Sequence, residues 1–198
     1  MPGTSITLFA LTSRNLPQHV AAINHTMQAL RRPCERLIVC PARPAIDNGF
    51  RWENHAIFSD WKYPESYNRF MIKMLADFIH TDFVITIHDD GYGRHPERWT
   101  DDFLSYDYIG APWPSEWDLG GYRVGNGGFS MRSRQLLELC RVGPDVDDKI
   151  PEDVHICRTH REFFDQHKCF YAPVDLAIEF SIEYGLSEYP RRTARDSF

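Results

Sequence analysis

The sequence predicts an α/β fold in which helices cover a mostly parallel sheet, and two observations support this prediction. Short apolar strands alternate with amphipathic helical segments as far as Ile87. These strands are apolar along their whole length, which is typical of parallel strands that are buried on both faces. A chain of 198 residues suits one domain with a single core.

The predicted elements follow in order along the chain. In the first helix, Val20, Ile23, Met27 and Leu30 show the spacing of three and four residues that marks an amphipathic helix. Strands are predicted at 5–11, 36–40, 83–87, 106–110, 129–131 and 170–174. Helices are predicted at 18–30, 67–79, 99–104, 133–140 and 151–167, with Thr100 and Ser133 as caps. A polar loop is predicted at 142–149 and a loose tail from 187 onward.

The composition excludes some classes of protein. A net charge of −6 argues against a general nucleic-acid binder, which should be basic on at least one face. The five cysteines show no C-x-x-C spacing and lie beside apolar residues, so we expect reduced core thiols. The sequence shows neither a signal peptide nor an apolar run of about 18 residues, which predicts a cytoplasmic protein without a transmembrane segment.

Acidic residues directly follow the strand at 83–87. The segment His88-Asp89-Asp90-Gly91 lies at the carboxyl end of this strand, where ligands bind to such sheets. Carboxylates there can hold a divalent cation that bridges to a phosphate. Because neighbouring side chains of a strand face opposite sides, His88 and Asp90 should share one face, and we favour Asp90 as the main ligand. The alternative is an acidic turn without a ligand.

The loop after the first strand, Thr12-Ser13-Arg14, reaches the same edge of the predicted sheet. We therefore expect it to face one site with His88-Asp89-Asp90, although about 75 residues separate the two segments.

A glycine cluster, Gly125-Asn126-Gly127-Gly128, follows further along the chain. Glycines let a ligand or another backbone come close, and Asn126 can both donate and accept hydrogen bonds. The cluster lacks the Lys-Ser/Thr ending of a phosphate-binding P-loop and the spacing of the dinucleotide motif. The alternative is a tight turn between two strands.

Two adjacent carboxylates, Glu152 and Asp153, follow Pro151 at a predicted helix start. Acidic residues are favoured there because they complement the helix dipole. Either one could instead act as a general base that takes a proton from an attacking hydroxyl. The motifs of serine hydrolases (G-x-S-x-G) and zinc proteases (H-E-x-x-H) are absent from the sequence.

Several segments together resemble one known family. The segments YDYIGAPW (106–113), VGNGGFSMRSR (124–134) and PEDVHICR (151–158) occur in order, with IHDDGY (87–92) before them and APVDLAIEFSIE (172–183) after them. In this set, the sequence resembles a domain-of-unknown-function family assigned to the glycosyltransferases. The resemblance covers nearly the whole chain.

The resemblance implies an A-type glycosyltransferase fold, a single Rossmann-like α/β/α sandwich that uses a sugar nucleotide, most simply of the UDP type. It implies a nucleotide-binding half at 1–91, a donor-sugar and acceptor half at 92–186, and a tail at 187–198. Asp90, together with His88, would hold Mn²⁺ or Mg²⁺ at the donor diphosphate. Glu152 or Asp153 would be the base of an inverting displacement. The residues expected to bind the nucleotide and donor are Thr12, Ser13, Arg14, Asp89, Asp90, Asn126, Gly127 and Gly128.

The sequence departs from the family pattern at two points. His88 stands where the family usually has Gln, so the metal site is expected to differ. The family also continues after a Ser-Phe segment into Gly-Phe-His-Gly, whose histidine often completes the metal site in this fold, whereas this sequence ends at Ser197-Phe198. We expect either that another group completes the metal coordination or that the protein lacks the segment with this histidine.

The leading functional hypothesis is a glycosyltransferase that moves a sugar to a hydroxyl of a glycan, as in polysaccharide biosynthesis. A non-catalytic protein that binds nucleotide sugars or carbohydrates on the same fold is one alternative, kept open by the missing histidine segment. A nucleotidyltransferase or phosphotransferase with the same strand-end carboxylates is the other.

Overall fold

A six-stranded sheet forms the centre of the computed structural model, which describes residues 3–42, 49–117, 120–184 and 198. Its strands lie in the order β3-β2-β1-β4-β6-β5. Their bounds are β1 (Ile6–Leu11), β2 (Glu35–Val39), β3 (Arg51–Glu53), β4 (Phe83–Ile87), β5 (Tyr108–Gly110) and β6 (Phe129–Ser133).

Most neighbouring strands run parallel, as the apolar strand pattern predicts. β1 pairs in parallel with β2 and with β4, and β2 pairs in parallel with β3. β6 is antiparallel to both β4 and β5. β2 lies on one side of β1 and β4 lies on the other, so the connections after β1 and β4 turn in opposite directions. The carboxyl ends of these two strands therefore flank a crevice of the kind in which α/β sheets bind ligands.

Helices lie between β1 and β2, between β3 and β4, and after β6. Two helical stretches each contain a π-helical turn. In the first, α2 (Glu65–Arg69) continues through the turn at Phe70–Met74 into α3 (Leu75–Phe78). In the second, α5 (Glu152–Val154) continues through the turn at His155–Thr159 toward α6 (Arg161–Gln166). The remaining helices are α1 (Leu16–Leu30), α4 (Arg134–Val142) and α7 (Val174–Phe180), with 3₁₀ turns at Ala56–Asp60, Pro96–Arg98 and Asp101–Ser105.

Each face of the sheet packs against helices. Leu8 and Ile85 lie in one buried cluster with Ile23 of α1. Phe9, the next residue on β1, lies in a second cluster with Phe70 of the α2–α3 stretch. Successive strand residues therefore point into different helical layers. The predicted α/β/α sandwich with a mostly parallel sheet is confirmed.

The helices and strands predicted up to Gln166 are present, with boundaries shifted by a few residues. Both predicted caps are confirmed, since Thr100 Oγ1 accepts a hydrogen bond from Asp102 N at 3.3 Å and Ser133 Oγ from Leu136 N at 3.1 Å. The sequence did not predict β3, which has only three residues and lies at an edge of the sheet.

The prediction of a strand at 170–174 is wrong. Only Tyr171 pairs with the sheet, through an isolated parallel bridge to Tyr108. Pro173 has no N–H to donate to a strand ladder, and α7 begins at the next residue, Val174. The run from Val174 to Phe180 buries Ala177 and Ile178, so its apolar spacing is helical.

The predicted loose tail lies outside the described residues except for Phe198. That side chain is buried, and its ring lies 5.1 Å from the ring of Trp99. All five cysteines are free, and four of them are buried. In the described part of the chain, no helix is both long and apolar enough to span a membrane.

The end of α4 is held by one lysine from the neighbouring helical stretch. Lys73 Nζ donates hydrogen bonds to the carbonyls of Cys140, Arg141, Gly143 and Pro144, at distances between 2.8 and 3.4 Å. The last carbonyls of a helix lack partners within the helix, and a cation is favoured at that end. Lys73 therefore fixes α4 against the α2–α3 stretch.

We predict that Lys73→Met lowers the free energy of unfolding by about 2 kcal/mol, because methionine keeps the apolar stem but leaves these carbonyls without their charged donor. Urea denaturation measures the loss. Lys62→Met is the matched control, since Lys62 is exposed and its Nζ lies 3.7 Å from Asp60, and it should change stability little. Equal effects of the two substitutions would contradict the structural role of Lys73.

Candidate functional site

Two adjoining pockets open at the carboxyl ends of β1 and β4. The first, of about 180 Å³, is lined by the loop after β1 and is called the β1 pocket. The second, of about 370 Å³, is lined by the glycine cluster and is called the glycine pocket. Tyr63, Tyr67 and His88 line both pockets, so the two form one bipartite site. The larger volume is within the range of small-molecule sites.

The β1 pocket brings together the two segments that the sequence predicts to meet. Thr12, Ser13, Arg14 and Asp89 all line it. Asn15 Nδ2 donates a hydrogen bond to Asp89 Oδ2 at 2.8 Å, which ties the loop after β1 to the loop after β4. That hydrogen bond helps to lower the pKa of Asp89, although partial burial acts in the opposite direction.

The loop after β1 is shaped by local hydrogen bonds. The Thr12 amide donates to Val39 O at 3.0 Å, and Thr12 Oγ1 accepts from the Arg14 amide at 3.1 Å. Within the described residues, the exposed guanidinium of Arg14 has no carboxylate partner. It is therefore available to an anionic ligand such as a phosphate.

Aromatic side chains cover the other wall of the β1 pocket. Trp61 and Tyr63 line it, and 64% of Tyr63 is exposed. Flat exposed rings beside a cationic loop can stack on a nucleobase. Neither ring was among the predicted site residues, although the sequence Trp61-Lys62-Tyr63-Pro64 has the composition of an aromatic loop.

His88 and Tyr67 stand at the junction of the two pockets. Tyr67 Oη and His88 Nε2 lie 2.8 Å apart, within hydrogen-bond distance. Burial lowers the pKa of His88, so its ring is neutral at pH 7, and burial raises the pKa of Tyr67, so its hydroxyl stays protonated. With Nε2 engaged, Nδ1 is the ring nitrogen that could contact a ligand or a cation.

The glycine cluster supplies main-chain amides to the second pocket. The Gly127 amide donates to Asp153 Oδ2, and the Gly128 amide donates to Asn126 Oδ1, both at 3.0 Å. A Cβ atom at Gly127 would collide with the Glu152 carboxylate, so this position requires glycine. The group that comes close to Gly127 is thus a side chain, that of Glu152.

A buried ion pair lies beneath the glycine pocket. Arg132 Nη2 donates to Glu152 Oε1 at 2.7 Å, and the exposed fractions of the two side chains are 0% and 7%. Burial alone would lower the pKa of Arg132, but the Glu152 carboxylate raises it, so the guanidinium remains charged. The Glu152 amide donates to Asn68 Oδ1 at 3.3 Å, which further fixes the start of α5.

Asp153 has the ionisation behaviour expected of a proton acceptor. Burial, with repulsion from the neighbouring Glu152, raises its pKa to about 7. Its two oxygens accept hydrogen bonds from the amides of Gly127 and Val154, at 3.0 and 2.7 Å. A carboxyl group held in place with a pKa near the working pH can accept a proton from a bound hydroxyl and later release it.

Asp90 presents an exposed carboxylate to the glycine pocket. Among the described residues it has no hydrogen-bond or ion-pair partner, and these residues contain no group of three His, Cys, Asp or Glu side chains arranged to hold a metal ion. A single carboxylate is nevertheless a sufficient protein ligand for Mg²⁺ or Mn²⁺ when substrate phosphates and waters supply the rest. Asp90 therefore fits a cation that arrives with a phosphorylated ligand.

The structure also shows site residues that the sequence reasoning missed. Arg132 is the clearest example, because it is a charged residue in β6, a strand whose five residues are all buried. A charged residue inside a buried strand signals a buried partner, which proves to be Glu152. Tyr67 was expected only as part of a helix.

The fold and the pockets define a single-domain α/β protein with two carboxylate-lined pockets at its strand ends. The sequence profile of the family described as "Protein of unknown function (DUF5672)" matches residues 51–197, and the chain belongs to this family. Membership of a family of unknown function agrees with the motif resemblance. No curated protein is significantly similar to the chain in sequence.

The chain is similar to a number of solved structures, of which two illustrate the range. One is a mannosyltransferase from Pyrobaculum calidifontis in complex with GDP-Man and Mn²⁺, with 12% identity, a TM-score of 0.49, and coverage of 96% of this chain and 58% of that chain. The other is 2-C-methyl-D-erythritol 4-phosphate cytidylyltransferase from Thermus thermophilus, with 13% identity, a TM-score of 0.44, and coverage of 83% and 85%. The chain thus spans little more than half the length of the mannosyltransferase.

We predict that Glu152→Gln lowers the free energy of unfolding by about 3–5 kcal/mol, because it leaves the charge of Arg132 buried and unpaired. The double variant Arg132→Met/Glu152→Gln should recover much of this loss, since it removes the buried charge. Urea denaturation of the two single variants and the double variant provides the measurement. Strictly additive losses would show that the ion pair does not couple the two side chains.

Proposed function

We propose that this chain is a glycosyltransferase that transfers a sugar, with inversion, from a nucleoside-diphosphate sugar to a hydroxyl of a glycan. The observation that supports this most directly is the glycine pocket, in which Asp153 has a pKa of about 7 and the exposed Asp90 lines the same cavity. Asp153 suits proton transfer, and Asp90 suits a cation that is bound to phosphate. The free cysteines suit the cytoplasm as the compartment.

In this proposal the β1 pocket takes the nucleotide. Trp61 and Tyr63 would stack on the base, and Arg14 would meet a phosphate. Thr12, Ser13 and Asp89 lie on the same wall and would contact the nucleoside. A UDP-type donor carries a pyrimidine base, which is smaller than a purine and suits a pocket of about 180 Å³.

The donor diphosphate would cross the junction at His88 into the glycine pocket. Asp90, with His88 as a further contact, would hold Mn²⁺ or Mg²⁺ there. When bound, such a cation neutralises the negative charge on the departing diphosphate. The amides of the glycine cluster and Asn126 would line the donor sugar.

The proposed reaction is a single displacement. The acceptor oxygen forms a bond to the anomeric carbon while the bond from that carbon to the diphosphate oxygen breaks, and the nucleoside diphosphate leaves. Asp153 takes the proton of the attacking hydroxyl. Glu152 is the less suitable base, because its Oε1 accepts a hydrogen bond from Arg132 inside a buried ion pair.

The decisive assay is incubation of the full chain with a panel of nucleotide sugars, Mn²⁺ and glycan acceptors. Release of a nucleoside diphosphate supports the proposal. Binding of the sugar nucleotide without turnover indicates a binding protein instead, and a nucleoside monophosphate or pyrophosphate as product indicates a nucleotidyltransferase.

We predict that Asp153→Asn lowers the rate of transfer by roughly 10²–10⁴-fold while the affinity for the donor is unchanged, because only proton removal is lost. In the wild type, kcat/KM should rise with pH up to about 7 and then level off, since the base acts only when it is ionised. The rising limb should disappear in the variant. A wild-type rate that falls between pH 6 and 8 would contradict the role of Asp153.

We predict that Asp90→Asn abolishes the Mn²⁺-dependent part of donor binding, because the amide is a much weaker ligand for a hard cation. Isothermal titration calorimetry with the donor, with and without Mn²⁺, measures the effect. Asp102→Asn serves as the control, since Asp102 is also an exposed aspartate but lies outside both pockets. Unchanged affinity in Asp90→Asn would exclude Asp90 as the cation ligand.

A further inference from the structure

A third cavity, rich in cationic and aromatic groups, lies between α1 and the segment after Asp90. It has a volume of about 360 Å³ and is lined by His25, Arg31, Tyr92 and Arg94, among others. We call these four residues the basic recess. The rings of His25 and Tyr92 stack with centroids 5.4 Å apart, and Arg94 Cζ lies 5.8 Å from the Tyr92 ring.

The basic recess contains two arginines, Arg31 and Arg94. Within the described part of the chain, neither of them has an ion-pair partner, and no acidic residue lines the cavity. Other exposed arginines do have partners, for example Arg69 with Asp148 and Arg141 with Glu138. Unpaired guanidinium groups around a concave surface favour an anionic ligand.

The wall of the recess is fixed by the main chain. The Gly93 amide donates to Thr26 Oγ1 of α1 at 3.0 Å, and the Arg94 amide donates to Phe198 O at 2.7 Å. The segment that carries Tyr92 and Arg94 is therefore held against α1 without the help of its two side chains. They remain available for a ligand.

A small cavity of about 130 Å³ lies between the recess and the glycine pocket. It shares Tyr92 and Arg94 with the basic recess. It shares Asp90, Gly91 and Phe129 with the glycine pocket. The three cavities thus adjoin in a row that we call the groove, with Asp153 at its acidic end and Arg31 at its basic end.

We propose that the basic recess binds an anionic group, a carboxylate or a phosphate, on the acceptor glycan. This inference rests on the proposed function, because the other end of the groove would hold the attacking hydroxyl beside Asp153. Carboxylates at that end repel an anion, so the charged substituent of an acceptor is held at the basic end. The stacked pair of His25 and Tyr92 offers an aromatic surface for the sugar ring.

Arg31 permits a test that does not damage the fold. It caps α1 with a φ of 51°, in the left-handed region that favours glycine. Arg31→Gly therefore removes the guanidinium while relieving the backbone, and its Tm should be no lower than that of the wild type. Arg94→Gln is the second variant, and Arg141→Gln on α4 is the control because it removes a paired arginine outside the groove.

The experiment measures the binding of glucose, glucuronate and glucose 6-phosphate to each protein by NMR titration without donor, and separately the affinity for the nucleotide sugar. We expect glucuronate or glucose 6-phosphate to bind the wild type and the control, and to bind Arg31→Gly and Arg94→Gln at least tenfold more weakly. Glucose should not distinguish the variants. The comparison of the two anionic sugars shows whether a carboxylate or a phosphate is preferred.

Three results would overturn the inference in whole or in part. In the first, the donor binds but the variants bind anionic sugars as well as the wild type does. This result would exclude the recess as an anion site and leave the proposed function intact. Loss of binding to phosphatidylglycerol vesicles in the variants, without any effect on sugars, would assign the recess to a membrane surface. If anionic sugars bind as expected but no donor is bound or turned over, the acceptor role fails together with the proposed function, although the anion site stands.

Discussion

The site depends on one buried ion pair, that of Arg132 and Glu152. It joins β6 to the start of α5, and its charges are almost completely removed from water. Such a pair gains little stability compared with apolar packing, but breaking it is costly, which makes the relative position of strand and helix hard to change. Asp153, the residue next to Glu152, accepts a hydrogen bond from the Gly127 amide, while Glu152 Oε1 is engaged by Arg132.

Electrostatics then divide the pockets into regions of different charge. Glu152 acts on Asp153 through its charge and, with burial, raises its pKa to about 7. Asp90, exposed and without a partner among the described residues, keeps its carboxylate available for a cation. Arg14 at one side and the basic recess at the other supply positive charge where anionic parts of ligands would lie. Charges of opposite sign are thus kept apart along one groove.

Much of the fold could be predicted from the sequence, because strands buried on both faces and helices with one apolar face leave clear periodic patterns. The loops after β1 and β4 could be placed at one site for the same reason. Two side-chain pairs could not be predicted from the sequence, namely Arg132 with Glu152 and Tyr67 with His88. They depend on how α5 and α2 lie on the sheet. The segment around Tyr171 shows another limit of prediction from the sequence. Its apolar run before Pro173 has the composition of a strand, but the structure forms only one bridge there and then the helix α7.

The reversed direction of β6 has a consequence for how the site is assembled. In a purely parallel sheet, the ligand edge receives only the segments that leave strands. Because β6 runs against β4, the segment that enters β6 arrives at that same edge, and it is this segment that contains Gly127 and Gly128. Because of this one antiparallel strand, the segment that leaves β4 and the segment that enters β6 both line the glycine pocket. The Gly127 amide can donate its hydrogen bond to Asp153 for this reason.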